Sequence, residues 1–379
     1  MTSHNSLNFR HGLVGSVFRI LASRDSGVLI GVAGQGKSRL LTYLQRPDVR
    51  QRFLGADASR VLVVNVDCNR ATEVSEWGLY EIMMTSLVEA TEAVEVSAAL
   101  CARLEEFQTE IAAGSTALLA LRRLETTVRM LARDHGLRLA IILDEFDAFY
   151  RDLPDTALAN LRGLRDHVKS FDYGLGYLLV TRDPPERLRD PGEIEGFYEL
   201  ISRNVLVLGP CDKQDALEIL DHALQRRGAS LTESDKQKIV DLSGGHPSMI
   251  DAFAVAVSKG YRLSENGAVP NGVNEECRKL WVGLAYDEQL ALARCADRVL
   301  DSTDRVVSSL ELKGLIVDGR LFSPAFDSYV KVHGFAQTKP LVVDSATHRV
   351  SIGTRNIDYL RDREFRVLQL LFQHTGNVV

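Results

Sequence analysis

The stretch Gly31–Ser38 constrains the fold more than any other part of the chain. Gly31 and Gly36 bracket four residues, and a lysine and a serine follow, so the run fits the pattern GxxxxGK[ST]. An apolar run precedes it and a helical pattern follows. Glycines let a loop reach positive φ angles and let backbone N–H groups approach an anion closely. We therefore predict a phosphate-binding loop; the alternative is a chance match in a glycine-containing turn.

The loop is predicted to hold a nucleotide through its backbone and two polar side chains. The dipole of the following helix would point at the anion, Lys37 would reach the β- and γ-phosphates, and Ser38 would bind Mg²⁺. The expected cofactors are ATP or ADP and Mg²⁺. The residues of this segment that are predicted to bind nucleotide are Gly31, Gly34, Gln35, Gly36, Lys37, Ser38 and Arg39.

A pair of acids ends the apolar run LAIILDEFD. Ligands bind at the carboxyl ends of the strands in parallel sheets, so Asp144 and Glu145 would lie near the loop. Asp144 is predicted to bind Mg²⁺, and Glu145 to orient and deprotonate the attacking water. The alternative is a strand that ends in a solvated acidic turn, and a solvated acid is what we expect of Asp147.

The next apolar run, Gly174–Asp183, ends in a threonine and an arginine. Thr181 and Arg182 would sense the γ-phosphate, because an arginine carries a permanent charge and several donors; the alternative is a surface arginine. Arg203, before the following strand, would reach the nucleotide of a neighbouring subunit. The predicted catalytic residues are Lys37, Asp144, Glu145 and Arg182.

Five apolar runs alternate with helical patterns over residues 1–210. This alternation predicts an α/β fold with a parallel sheet, which with the loop makes a P-loop ATPase core. The predicted strands are Val28–Ile30, Arg60–Cys68, Leu137–Asp147, Gly174–Asp183 and Asn204–Pro210. The predicted helices include Arg39–Leu44 and the amphipathic stretches Leu79–Leu87 and Leu121–Leu131, with Gly136 as a C-cap.

After Pro210 the strand patterns stop and helical patterns follow. Residues 211–262 are predicted to form a helical lid, with helices at Ala216–Leu224 and Lys236–Leu242 and a turn that enters a third helix over Gly244–Val257. Ser264–Glu276 is rich in glycine, asparagine and proline, and is predicted to be a linker.

Residues 275–335 have the element order of a winged helix. Helices are predicted near Asp287–Ala296 and Thr303–Leu312. Asp318-Gly319 then separates two apolar runs, which is a strong hairpin signal. Residues 339–379 are predicted to form a small β/α fragment, with three short strands and a helix whose apolar face holds Phe365, Leu368, Leu371 and Phe372.

Bulk properties exclude several classes of protein. The net charge of −6 provides no global positive field for nucleic acid. No apolar run is long enough for a membrane span or a signal peptide, so we expect a cytoplasmic protein with no membrane partner. The five cysteines are scattered without a CxxC pair and are predicted to be buried thiols.

These motifs together resemble the AAA+-related P-loop ATPases and, within them, the STAND group of signal-transduction ATPases. The resemblance covers about Phe9 to Tyr329 and includes the turn Gly245-His246-Pro247, which is similar to the GxP motif of that group. It implies that Pro247 contacts the nucleotide and couples the lid to an ATP/ADP switch with slow ATPase activity. The alternative for Pro247 is a proline at the first position of a helix.

The last segment, 339–379, resembles the start of an OmpR-type DNA-binding winged helix, on residues that include Leu360, Glu364, Phe365 and Gly376. Arg361 stands where that family has a capping threonine, which weakens the cap. The recognition helix of that family would come after Val379, so we expect the chain to be a truncated form; the alternative is that the fragment only packs. The resemblance implies DNA as a partner of the complete protein.

Function is therefore predicted as a STAND-type ATP switch that regulates transcription through its winged helices, with a homo-oligomer formed on activation. Two alternatives remain. One is an origin-recognition-like or loader-type ATPase that binds DNA, although 275–331 shows no basic stripe. The other is a signalling ATPase whose winged helices dock proteins.

Overall fold

The computed structural model of the protein contains a five-stranded parallel sheet, a group of three helices, a helical group with a short hairpin, and a three-stranded antiparallel sheet. The residues that the structure describes are 9–92, 96–114, 116–169, 174–263, 269–295, 304–337, 341–344, 349–352, 355–357 and 360–373.

The parallel sheet has the strand order β2-β3-β4-β1-β5, and all neighbouring strands run parallel. Its strands are β1 (Gly27–Ile30), β2 (Val61–Asp67), β3 (Arg138–Asp144), β4 (Leu175–Thr181) and β5 (Val205–Val207). The predicted α/β class is confirmed. Because β4 lies between β1 and β3, the loop after β1 and the acids after β3 flank the carboxyl end of β4.

Helices connect these strands. They are α1 (His11–Ala22), α2 (Lys37–Leu44), α3 (Pro47–Leu54), α4 (Glu76–Thr91), α5 (Ala98–Gly114), α6 (Ala117–Arg129), α7 (Asp147–Asp152), α8 (Asp155–Lys169), α9 (Pro185–Leu188) and α10 (Glu195–Ser202). One π-helical turn, Met130–Asp134, continues α6, and Gly136 follows with a φ of 66°, as a C-cap glycine requires.

The sheet is covered on both faces, as its continuous apolar strands require. Every residue of β1 and β4 is buried. Leu29 packs into the layer that contains α1 and α2, whereas Val28 and Ile30 pack into the layer that contains α4 and α6. Successive side chains of a strand point to opposite faces, so one short strand joins both layers.

Three helices follow the sheet, and we call them the three-helix unit: α11 (Lys213–Gln225), α12 (Glu233–Ser243) and α13 (Pro247–Ser258). The Asp212 carboxylate caps α11 by accepting from Asp215 N, and the Thr232 hydroxyl caps α12 by accepting from Asp235 N. The C-cap of α12 is Gly244, which has a φ of 57°. The three predicted helices in this segment are confirmed.

The next group, the hairpin unit, consists of α14 (Asn271–Val282), α15 (Tyr286–Cys295), α16 (Arg305–Leu312), β6 (Ile316–Val317), β7 (Arg320–Leu321) and α17 (Pro324–Gln337). The predicted hairpin is confirmed, with φ values of 51° and 72° at Asp318 and Gly319. The predicted linker Ser264–Glu276 is wrong from Asn271 onward. A helix begins there because Val273 lies on a face that is buried in the core.

The C-terminal segment forms an antiparallel sheet of order β10-β9-β8 and one helix. Its elements are β8 (Leu341–Asp344), β9 (Arg349–Ile352), β10 (Arg355–Ile357) and α18 (Asp362–Gln373). Phe365 is buried as predicted, and Glu364 accepts from Arg361 N at 2.8 Å at the start of α18. The side chains of Leu371 and Phe372, and all of Gly376, lie outside the described residues.

Two expectations from composition can be compared with the structure. No disulfide joins the five cysteines; four are buried and Cys101 is half-buried. Within the described residues, no helix has the length and apolar character to cross a membrane.

Candidate functional site

The loop between β1 and α2 has the backbone conformation that its glycines predict. Gly34 and Gly36 have φ values of 79° and 87°, in the left-handed region. A Cβ at Gly31 would lie 3.2 Å from both the Leu208 side chain and Cγ of Lys37. The loop therefore turns tightly, and α2 begins at Lys37 with its N-terminus facing the loop.

Lys37 connects this loop to the acids after β3. Its side chain is 7% exposed, and its Nζ donates to Gly31 O at 2.9 Å. The same ammonium lies 3.2 Å from Oε1 of Glu145. The sequence predicted that Lys37 and the two acids would meet, and the structure brings them together. Ser38, by contrast, is exposed on the first turn of α2.

Asp144 is a desolvated carboxylate at the end of β3. It is 8% exposed, and its Oδ1 accepts from Glu145 N at 3.0 Å. Burial, followed by the negative charge of Glu145, raises the pKa of Asp144 to about 6. A buried carboxylate of raised pKa is a favourable ligand for a hard cation, because the cation replaces the lost solvation.

Metal ligands are few at this edge of the sheet. Among the described residues, no group of three or more His, Cys, Asp or Glu is placed to hold a metal ion. Asp67 lies opposite Asp144 across the β2–β3 pair, and its carboxylate accepts from Asn69 N at 3.0 Å. Mg²⁺ commonly uses one or two protein carboxylates and completes its coordination shell with phosphates and water. The small number of carboxylates at this edge is therefore compatible with Mg²⁺.

Glu145 lies at the centre of an ion-pair chain. Its Oε1 faces Lys37, and its Oε2 accepts from Nη2 and Nε of Arg182 at 2.7 and 3.1 Å. Burial favours a higher pKa, but the charges of Lys37 and Arg182 outweigh it and lower the pKa of Glu145. Its φ of 53° is rare for a residue other than glycine, and such strain concentrates at functional sites.

The end of β4 positions Arg182 beside the acids. The backbone N–H of Arg182 donates to Asp147 Oδ1 at 2.9 Å. Thr181 is fully buried; its hydroxyl donates to Asp183 O at 2.8 Å, and its carbonyl accepts from Gly31 N. The hydroxyl of Thr181 therefore stabilises the segment 181–183. Of the two residues predicted to sense the γ-phosphate, only Arg182 has its side chain beside the acids.

Asp147 corrects one expectation. It was expected to be a solvated acid, but it is half-buried and accepts from the backbone N–H groups of Arg182 and Asp183. Burial raises its pKa. A short helix, α7, begins at Asp147 and turns the carboxylate back under the end of β4, which the sequence motif alone does not indicate.

The N-terminus of α13 contacts the other side of the loop. Ser248 donates to Gly34 O through its hydroxyl at 3.0 Å and through its backbone N–H at 3.3 Å, and His246 Nε2 donates to Ala33 O at 3.1 Å. Pro247 is at the first position of α13, as one alternative proposed, and its ring lies 4.0 Å from the position of a Cβ at Gly36. Of these three residues, the sequence motif predicts a site contact only for Pro247, and it does not indicate the contacts of His246 and Ser248.

His246 is neutral in this contact. It is 1% exposed, and burial lowers its pKa to about 4. Its ring also packs against Phe322 in the hairpin unit, with centroids 5.9 Å apart. One uncharged side chain therefore links the loop to two other parts of the fold.

A cavity of about 510 Å³ opens beside the loop. Gln35 is 1% exposed with both side-chain amide atoms unpartnered, and the Arg39 guanidinium lies over the ring of Phe9 at 5.5 Å. Arg203 lies exposed directly after α10 and before β5, at the amino end of that strand, whereas the loop follows the carboxyl end of β1. The cavity is lined by Gly34, Gly36, Arg39, Ile219, Pro247, Ser248, Asp251, Ala252, Val255, Gly272, Glu275 and Glu276.

Comparison with known proteins agrees with this geometry. Residues 21–183 match the family model of the AAA domain. The fold is that of a P-loop NTPase with an AAA domain. No curated protein sequence matches the chain.

Two solved structures share the fold of this chain. A Walker-type ATPase of Pyrococcus abyssi has a TM-score of 0.56 and 14% identity, over 85% of this chain and 95% of its own. The ORC2 protein of Aeropyrum pernix in its ADP form has a TM-score of 0.51 and 18% identity, over 96% of this chain and 94% of its own. At these identities the similarity establishes the fold alone.

Proposed function

We propose that the chain binds ATP or ADP with Mg²⁺ and hydrolyses ATP. The observation that carries the proposal is the convergence of Lys37, Glu145 and Arg182 beside Asp144 at the ends of neighbouring strands. Phosphoryl transfer to water needs cations at the phosphates and a carboxylate that orients the water. The Aeropyrum pernix ORC2 protein, solved in an ADP form, shares the fold, which supports a nucleotide as the ligand.

The residues of the loop fit a nucleotide phosphate. Gly34 and Gly36 hold positive φ angles, so the loop can form a concave nest of N–H groups without side chains in the way. The buried amide of Gln35 has no protein partner, and the desolvated carboxylate of Asp144 has a raised pKa. These groups suit an anion and a divalent cation held side by side.

In the proposed mechanism each side chain has one task. Lys37 binds the β- and γ-phosphates, and Ser38 and Asp144 hold Mg²⁺, which neutralises phosphate charge when it is bound. Glu145 orients the attacking water and accepts its proton. Arg182 stabilises the charge that develops on the γ-phosphate. For this, Lys37 and Arg182 exchange their pairing with Glu145 for the phosphates.

Steady-state hydrolysis with and without Mg²⁺ tests the proposal. The wild-type chain should release phosphate from ATP only when Mg²⁺ is present, and Asp144→Asn should raise the Mg²⁺ concentration needed for half-maximal activity. Asp166→Asn, at an exposed position of α8, is a matched control and should change neither value. No hydrolysis by the wild type, or equal activity in EDTA, would contradict the proposal.

For the role of the ATPase, the comparisons favour an origin-recognition-like ATPase that binds DNA over the STAND-type switch. The support is a shared fold with the Aeropyrum pernix ORC2 protein over 96% of this chain. In this proposal residues 1–210 are the ATPase core, 211–262 its lid and 275–335 a winged helix. Residues 339–379 would be the start of an OmpR-type winged helix, and Arg203 would serve a neighbouring subunit in an oligomer.

Helix α14 of the hairpin unit offers limited basic surface for DNA. Its exposed bases on α14 pair with acids one turn away, Arg278 with Glu275 at 2.6 Å and Lys279 with Glu276 at 2.7 Å. Paired bases release fewer counterions from DNA, so duplex affinity through α14 should be weak. A fluorescence titration with duplex DNA at low salt, in the presence of ATP or of ADP, measures DNA binding by the chain. Absence of binding with both nucleotides would contradict the origin-recognition-like function.

The STAND-type switch remains the second candidate because α13 contacts the loop. Pro247, His246 and Ser248 touch the same loop that would hold the phosphates. A switch of this type would retain ADP through purification and turn over slowly. Analysis of nucleotide released from the denatured protein separates the candidates: bound ADP favours the switch, and an empty, fast ATPase excludes it.

A further inference from the structure

A buried lysine of the hairpin unit pairs with the segment that carries Arg182. Lys313, at the end of α16, is 2% exposed, and its Nζ donates to Asp183 Oδ1 and, at 2.6 Å, to Glu288 Oε1. Asp183 directly follows Arg182, and Glu288 is fully buried in α15. Ionised groups are this deeply buried only when they are paired, so the three charges form one unit.

The backbone around Lys313 is fixed against the ATPase core. Gly314, which follows the C-cap residue Lys313 of α16, has a φ of 70°, and a Cβ at this position would lie 2.9 Å from the Pro210 ring. Ser309 donates to Glu288 Oε1 at 3.2 Å, and Glu288 Oε2 accepts from Ala285 N. The backbone that carries the Lys313 side chain is therefore restrained. Because of this restraint, the Lys313 ammonium can fix the position of the Asp183 carboxylate.

Asp183 is held from two sides. From the ATPase core, Asp147 Oδ1 accepts from the backbone N–H groups of Arg182 at 2.9 Å and Asp183 at 3.4 Å. From the hairpin unit, Lys313 holds the Asp183 carboxylate. The segment between these contacts includes the backbone from which the Arg182 guanidinium reaches Glu145. Movement of Lys313 would release one of the two constraints on Arg182.

We propose that Lys313 is a positioning residue that makes the placement of Arg182 depend on the docked hairpin unit. The inference rests on the proposed ATPase function for its catalytic consequence, but the positioning itself can be measured without nucleotide. In this proposal the hairpin unit takes part in hydrolysis through its salt bridge to the segment 181–183. This role is separate from any surface that the hairpin unit presents to a partner.

A matched control lies in the same interface. Arg187, on α9, pairs with Asp287 of the hairpin unit at 2.9 Å and lies 3.8 Å from Glu288 Oε1, but it forms no ion pair with residues 181–183. Asp287→Asn weakens the interface without touching the segment. Lys313→Met removes the buried cation, and Asp183→Ala removes its partner at a position that is 28% exposed, where the fold tolerates truncation better.

Hydrogen exchange of the Arg182 and Asp183 amides in the full chain without nucleotide is the first measurement. Both substitutions in the salt bridge should speed exchange at these amides by about tenfold or more, and Asp287→Asn should leave it unchanged. Unchanged exchange in Asp183→Ala, or equal acceleration in Asp287→Asn, would overturn the inference. This result does not depend on ATPase activity, so it is distinguishable from failure of the proposed function.

Kinetics then test the catalytic consequence. Lys313→Met and Asp183→Ala should each lower kcat about tenfold with KM for ATP changed less than about twofold, because a misplaced group affects the reacting geometry more than ground-state binding. The double variant should be no slower than either single one, because both remove the same contact. Multiplicative losses, or losses equal to that of Asp287→Asn, would overturn the assignment.

Discussion

Two sides of the same loop are built from different chemistry. On one side, which we call the charged flank, Glu145 lies within salt-bridge distance of Lys37 and Arg182, and the carboxylate of Asp144 lies beside it. On the other, the neutral flank, His246 and Ser248 donate hydrogen bonds to loop carbonyls. The charged flank can respond to phosphate charge, whereas the neutral flank recognises only the shape of the backbone. We infer that the first performs the chemistry and the second transmits the loop conformation.

The largest expected effect is on the charged flank, at Lys37. Lys37→Ala should weaken ATP binding by at least about 1000-fold, because the variant loses a desolvated cation at the phosphates. Isothermal titration calorimetry measures this, with circular dichroism to show that the fold is retained. Lys331→Ala, an exposed lysine on α17, is the control. An ATP affinity within a few-fold of the wild type would disprove the phosphate role of Lys37.

Glu145→Gln should separate binding from turnover. The amide keeps the size of the side chain but cannot accept the proton of water, so kcat should fall about 1000-fold while ATP affinity changes little. Single-turnover hydrolysis with radiolabelled ATP measures the chemical step. If the variant hydrolyses ATP at the wild-type rate, another group is the base and the division between the two flanks needs revision.

On the neutral flank, the largest effect should depend on pH. The pKa of His246 is lowered to about 4, against 6.5 for an unperturbed histidine. The unfolded chain binds a proton below about pH 6.5 and the native histidine does not, so the free energy of unfolding falls as pH decreases from 6.5 towards 4. The full loss is about 3 kcal/mol.

Chemical unfolding of the wild type and His246→Gln across this pH range measures the effect. The wild type should lose about 3 kcal/mol more than the variant between pH 6.5 and 4. Asp144, whose pKa is raised, acts in the opposite direction because it protonates first in the native state, but it is present in both proteins and cancels. Parallel curves would show that His246 does not titrate as a buried neutral group.

The smallest effect is expected at Ser248. Ser248→Ala removes the hydroxyl donor to Gly34 O but keeps the backbone N–H bond to the same carbonyl. The free energy of unfolding should fall by about 1 kcal/mol. Urea unfolding at neutral pH measures the change, and Ser258→Ala, at the exposed end of α13, is the control. An equal change in both variants would indicate that the loop contact contributes nothing specific.

The two flanks also differ in how many of their residues can be identified from the sequence. The charged flank follows from motifs that are local in sequence, since a glycine-rich loop after one strand and acids after another must meet at one edge of a parallel sheet. The neutral flank joins Ala33 and Gly34 to residues more than 210 positions away. Only the proline of that turn had a recognisable pattern.

Other misses have a common physical cause. Asp147 and Asn271 sit in sequences rich in turn-forming or polar residues, but tertiary contacts decide their state: the end of β4 supplies two donors to Asp147, and a core supplies a buried face for the helix at Asn271. Lys313 had no signal, because its two carboxylate partners lie 130 and 25 positions away. Burial of a charge is a property of the assembled fold.

A crystal structure of the chain with Mg²⁺ and a non-hydrolysable ATP analogue tests the central claim most directly. We predict that the phosphates lie in the loop 31–38, that Mg²⁺ is held by Ser38 and Asp144, and that Lys37 Nζ has moved from Glu145 to the phosphates. Triphosphate bound elsewhere, with Lys37 still paired to Glu145, would contradict it.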